Sequence, residues 1–183
     1  MIRYFRALLS IVAVAVLGGC YSSPIVKEDA LLPEAEANSG FLLVGSQRVW
    51  TETDRKDTPT LQLLFRAANT PAQIITATFV KDSDLVLQQL PPGEYVIPTS
   101  FLGFSHMQFP APGVQFTIAP RQITYIGDFN ASVKWPTIGL LTNRKLSLVD
   151  NRTGAIQKLK ATYPIISGSY PIRVEIHSFS ISD

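Results

Sequence analysis

From Gly40 onward the chain is a series of short β-branched and aromatic runs, each cut off by Pro, Gly, Asn or Asp. That punctuation constrains the fold more than any other feature. Closely spaced turn residues break helices, and strands joined by turns tolerate them. The spacing predicts strands over Phe41–Trp50, Thr60–Ala67, Ala72–Val80, Leu85–Gln89, Glu94–Phe104, Val114–Ala119, Gln122–Lys134, Lys145–Val149 and Arg173–Phe179. Such a series makes an all-β, antiparallel sandwich or barrel rather than βαβ units.

Alternation supports the strands. In Gln73–Phe79, Ile75, Ala77 and Phe79 share one face. In Gln122–Lys134, the period places Ile123, Tyr125, Gly127 and Phe129 on one side and Thr124, Ile126, Asp128 and Asn130 on the other. A half-buried antiparallel strand has this period of two. One short helix is expected over Asn151–Thr162, with Asp150 as its cap. Ala155, Ile156, Leu159 and Tyr163 would form its apolar stripe, and Pro164 would stop it.

The first twenty residues, MIRYFRALLSIVAVAVLGGC, have a different texture. Arg3 and Arg6 precede an uncharged apolar stretch from Ala7 to Leu17, the pattern of a secretory signal peptide. The stretch falls short of the roughly 20 residues that span a bilayer. Its end, Leu17-Gly18-Gly19-Cys20, resembles the lipobox of bacterial lipoproteins, and Cys20 is the only cysteine in the chain. The small Gly18 and Gly19 let the chain lie extended in a peptidase site. The Cys20 thiol can take a thioether-linked diacylglycerol. The resemblance implies cleavage between Gly19 and Cys20, acylation (a palmitate-like chain) of the new amino group, and a bilayer partner reached through Cys20. An aspartate after the cysteine signals inner-membrane retention in such proteins. Tyr21 stands there, so the resemblance implies the outer membrane, with the body facing the periplasm.

Cleavage removes Arg3 and Arg6 from the 16 basic side chains, leaving 14 against 14 acidic ones. A neutral mature chain offers no polybasic patch for nucleic acid. One cysteine also excludes an internal disulfide and a zinc knuckle. Residues 20–39, the lipidated cysteine and YSSPIVKEDALLPEAEANS, read as a tether with a root-mean-square span of roughly 20–25 Å. Docking of Ile25, Val26, Leu31 or Leu32 on the body is the alternative. Residues 40–183 then form the β-sandwich domain, expected to be monomeric.

Leu90-Pro91-Pro92-Gly93-Glu94-Tyr95 is a turn entering a strand. It resembles the LPPGxY element of prealbumin-like and carboxypeptidase-regulatory-like β-sandwiches, which share an immunoglobulin-like architecture. Ala119-Pro120-Arg121-Gln122-Ile123-Thr124-Tyr125-Ile126-Gly127 resembles a second element, found after LPPGxY in bacterial envelope lipoproteins of a domain family of unknown function. Arg121 stands where that pattern has glycine. The resemblance implies a lipid-held sandwich and carries no catalytic residues.

A search for chemistry yields no catalytic, cofactor or metal assignment. His106 and His177 are the only histidines, with no HxH, HxxxH or HExxH spacing. No G-x-S-x-G is present, and Ser105-His106 adjacency is not a triad. Asp82-Ser83-Asp84 lacks the calcium-loop pattern and reads as a solvated turn. Two features mark a candidate partner patch: Phe101, Phe104, His106, Met107 and Phe109 in one stretch, and Trp135 after a strand. The expected role is non-catalytic binding or scaffolding at the envelope, with an envelope protein as a further partner. Two rivals remain: an envelope enzyme, in which Asp128, Glu94 and His106 would meet in a pocket, and an assembly lipoprotein of a secretion or surface apparatus.

Overall fold

A computed structural model describes residues 26, 38–51, 59–80, 83–103, 105–134, 142–177 and 179–182. The elements run β1 (Gly40–Thr51), β2 (Leu61–Ala67), β3 (Ile75–Phe79), β4 (Leu85–Leu90), β5 (Gly93–Leu102), β6 (Ser105–Gln108), β7 (Val114–Ile118), β8 (Ile123–Lys134), β9 (Thr142–Val149), α1 (Arg152–Thr162), α2 (Pro164–Ser169), β10 (Ile172–Val174) and β11 (Phe179–Ser182). They build an all-β sandwich with a helical layer on one side. The first sheet has the order β11-β9-β8-β1-β4, with β10 also on β8; the second has β3-β2-β5-β6, with β7 also on β5. The signal peptide, Gly19, Cys20 and all of the tether except Val26, Asn38 and Ser39 lie outside the described residues.

Both sheets share one device. The long β5 takes β7 along residues 93–97 and β6 along 99–102 of the same edge. The long β8 takes β10 along 123–125 and β9 along 128–134. Pro98 sits at the changeover on β5, where the register with β2 slips between Leu64 and Arg66. A proline has no ladder N–H to lose, so a bulge is where a strand accommodates one.

The structure departs from the sequence expectation at several points. The first sheet is mixed, since β1 and β10 both run parallel to β8. Between β1 and β8 the chain visits the second sheet twice, for β2–β3 and again for β5–β7, with β4 in the first sheet between the two visits. Arg173–Phe179 is not one strand: Glu175 N donates to Tyr125 O, and the chain then leaves β8, whose edge beyond belongs to β9. Glu94–Phe104 ends at Leu102, and β6 folds back on it as a hairpin. Pro164 ends α1, yet it also opens α2 at a first-turn position where its missing N–H costs nothing.

Gly127 overturns the predicted alternation of β8. Its φ is 118°, and the pairing with β1 slips between Leu43 and Gly45. One extra residue flips every side chain beyond it. Ile123 and Tyr125 therefore face the helices, while Ile126, Phe129, Ala131 and Val133 all face the sandwich interior. Phe129 does not share a face with Tyr125.

Two cores result. Between the sheets, Leu42, Val44, Leu63, Phe65, Phe79, Ile97, Phe116, Phe129 and Leu148 pack with their neighbours. Between the first sheet and the helices lie Phe41, Leu43, Leu87, Ile123, Tyr125, Ala155, Leu159, Tyr163 and Ile166. Each buried Val, Leu, Ile or Phe among them contributes about 1.5–3 kcal/mol. The first half of β1 is consequently buried on both faces, whereas β2, β3 and β7 keep one open face.

Arg121 has φ 55°, the left-handed conformation that glycine adopts freely. Its N–H donates to Ser39 O at 2.8 Å, which fixes the turn. A side chain there costs roughly 1–2 kcal/mol, partly offset by the floppier unfolded glycine chain. Arg121→Gly is expected to stabilise the fold by about 0.5–1 kcal/mol and Arg121→Val to destabilise it. Urea unfolding curves of the two variants check this.

Candidate functional site

The LPPGEY turn divides two clefts at one end of the second sheet. Tyr95 lines both, with its hydroxyl donating to Pro91 O at 2.8 Å. Its ring stacks on Phe116 at 5.4 Å and meets Phe65 edge-on. The aromatic trio is the floor that holds the turn in place.

The larger cleft, about 470 Å³, opens on the outer side of the β5–β7 pair. Register brings Glu94 opposite Thr117 and Val96 opposite Gln115. These alternate with the inward Tyr95, Ile97 and Phe116. The chain leaving β10 supplies Glu175 and His177 as the opposite wall. Thr117 N donates to Glu175 Oε2 at 3.4 Å, and the Arg173 guanidinium lies 3.4 Å from the same oxygen. The smaller cleft, about 350 Å³, presents Asn69, Thr70, Gln73, Pro91 and Pro92. The larger cleft thus offers carboxylates, an imidazole, an amide and a hydroxyl; the smaller offers uncharged polar groups and proline faces. The first suits a ligand bearing an amino group or several hydroxyls. Among the described residues, no three His, Cys, Asp or Glu side chains converge as a metal site.

The structure divides the predicted partner patch. Met107 and Phe109 point into the core, where Phe109 packs on Phe129 and Phe179. The alternation of the β5–β6 hairpin turns Phe101 and His106 to the outer face, their rings 5.2 Å apart. Phe104 and Trp135 lie outside the described residues. His106 Nε2 meets Thr99 Oγ1 at 2.5 Å. Asp128, Glu94 and His106 do not meet. Glu94 is in the larger cleft, His106 is on the β5–β6 hairpin, and Asp128 lies under α1. Asp84 of the expected solvated turn pairs with Lys158 on α1.

Asp128 belongs to a buried polar network instead. Tyr125 Oη donates to Asp128 Oδ1 at 2.7 Å, and Asn151 Nδ2 donates to Asp128 Oδ2 at 2.7 Å. Asn151 N also donates to Tyr125 Oη at 3.2 Å. Burial, reinforced by the Asp128 carboxylate, pushes the Tyr125 hydroxyl well above its ordinary range, so it stays a donor. Asn151, not Asp150, is the N-cap of α1, and its side chain serves Asp128 rather than the helix. Asp150 accepts from the Arg152 N–H and guanidinium, which hold its carboxyl below the usual range.

Arg48 is the second buried polar feature. It is 6% exposed and faces inward from β1. Nη1 donates to Pro59 O and Phe79 O at 3.0 and 2.6 Å; Nη2 donates to Val80 O and Ser83 O at 2.8 and 2.5 Å. The guanidinium lies 5.7 Å from the Phe79 ring centre. One planar fork thus ties β1 of the first sheet to β3 of the second and to the approaches of β2 and β4. The signal for it was present in the sequence: Leu42, Val44, Ser46 and Arg48 continue one alternating face. Nothing local announced that Glu94 would share a cleft with Glu175 and His177.

No family model, no curated protein and no solved structure matches the chain.

Proposed function

We propose that the chain is a lipoprotein of the bacterial cell envelope, held in the outer membrane through Cys20, with a non-catalytic sandwich that binds or scaffolds a partner on the periplasmic side. One observation carries the reading: the only cysteine directly follows a charged n-region, an apolar stretch and two glycines. The LPPGEY and Tyr125-Ile126-Gly127 elements support it through their likeness to envelope lipoproteins. Multiple acyl chains, at about 0.8 kcal/mol per buried methylene, anchor such a domain firmly. Confinement at the surface raises its effective concentration for nearby partners. The two clefts beside Tyr95 are concave surfaces that a partner could enter.

Detergent-phase partition tests the reading. The wild-type protein is expected in the detergent phase and Cys20→Ala in the aqueous phase. Equal partition of the two into the aqueous phase rejects the lipid anchor.

A further inference from the structure

Val26 is fixed to the folded body at three points. Its N–H donates to Leu87 O at 3.0 Å, and its carbonyl accepts from Tyr163 Oη at 3.1 Å. Its side chain is 9% exposed within the cluster that holds Leu87, Leu159 and Tyr163. The contact adds a backbone bond to β4, the terminal strand of the first sheet. Both backbone polar groups of Val26 are therefore satisfied by the body, so this residue is part of the fold.

The covalent consequence concerns distance. Cys20 precedes Val26 by six residues, and a fully extended chain of that length spans at most about 22 Å. As a coil it spans about 12–15 Å. The body has three layers, with spacings of about 10 Å between neighbours. Val26 lies at the β4 edge of the first sheet, with its side chain in the layer between that sheet and the helices. The side of the molecule within easy reach of Cys20 is therefore the helical side, and the outer face of the second sheet is about two layers away.

The chemistry of that side fits a phospholipid surface. Tyr163, which holds Val26, leads directly into Pro164 and Ile165, and Ile165 is 54% exposed. Lys160, one turn earlier, is exposed and makes no ion pair among the described residues. An exposed branched apolar side chain and an exposed ammonium on the same pair of helices are groups that upper acyl chains and headgroups accept. The opposite face carries Gln62, Thr76, Gln108, Gln115 and Thr117, together with Glu94 and the Phe101–His106 pair.

We infer that Val26 is a second attachment point, which seats the α1–α2 face on the phospholipid surface holding the Cys20 acyl chains and turns the cleft of Glu94, Glu175 and His177 away from it. This orientation rests on the lipid anchor proposed above.

The test uses the lipidated chain in phosphatidylethanolamine–phosphatidylglycerol vesicles that contain brominated phospholipid. Ile165→Cys and Gln108→Cys each introduce one exposed thiol for a fluorophore, since acylation occupies Cys20. Intact mass is read first. Lipid quenching of the label at position 165 is expected to be at least about threefold that at position 108, because interfacial side chains sit about 5–10 Å into the headgroup boundary. Val26→Asp is expected to bring the two labels to similar quenching. Equal quenching at the two positions with Val26 intact overturns the orientation, whatever Val26→Asp does. A ratio that survives Val26→Asp overturns the role of Val26. A chain whose mass shows no lipid overturns the anchor and the orientation together.

Discussion

Arg48→Met is expected to lower the unfolding free energy by about 3–5 kcal/mol. The guanidinium serves four carbonyls, of Pro59, Phe79, Val80 and Ser83. A hydrogen bond to a charged group contributes about 1.5–3 kcal/mol. The four are not additive, because two nitrogens share them and the Val80 and Ser83 bonds are only partly buried. Exchanging a buried ion pair for apolar residues is often harmless. These four acceptors are backbone and cannot be exchanged along with the arginine, so they would be left unpaired. Arg48→Lys recovers less than half the loss, since an ammonium lacks the planar fork. Urea unfolding followed by tryptophan fluorescence reads both variants. A loss below about 1 kcal/mol for Arg48→Met contradicts the clamp.

Gly45→Ala is the second large effect, expected to cost about 2–4 kcal/mol. A Cβ on Gly45 would stand 1.9 Å from Asp128 Oδ1 and 2.4 Å from its Cγ. The carboxylate cannot swing aside without losing Tyr125 Oη and Asn151 Nδ2, each 2.7 Å away. The close approach exists because the bulge at Gly127 turns Asp128 onto the side of β8 that faces β1's glycine and the start of α1. In Gly45→Ala/Asp128→Ala the clash is gone and only the lost network remains. The double variant should therefore be more stable than the sum of the two single losses by at least about 1 kcal/mol. Simple additivity would mean that Asp128 does not set the cost at Gly45.

These two sites show what a linear reading could and could not reach. The strands were legible where alternation is strict and turns are marked, as in β3 with Ile75, Ala77 and Phe79 inward, or β5 with Tyr95 and Ile97 inward. The α1 stripe of Ala155 and Leu159 was legible for the same reason. The bulge at Gly127 was not, because a period of two contains no mark of where one residue is added. The parallel pairing of β1 with β8 was not, because pairing partners lie far apart in sequence and propensity is blind to them. The short β6 was hidden in a run of phenylalanines that read as one patch, although the hairpin sends Met107 and Phe109 inward and His106 outward. Arg121 was legible as a departure from a glycine turn, and the structure keeps that turn's left-handed geometry with arginine in it. In the larger cleft, Glu94 was named as a candidate for a different site, while Glu175 and His177 reach it only through the crossing from β10 to β11.

Intact-mass analysis of membrane-extracted protein reads the covalent anchor at Cys20. The wild-type mass is expected to lack residues 1–19 and to carry an acyl-lipid increment that is absent from Cys20→Ala. A wild-type chain without lipid, recovered in the soluble fraction, would contradict the anchor.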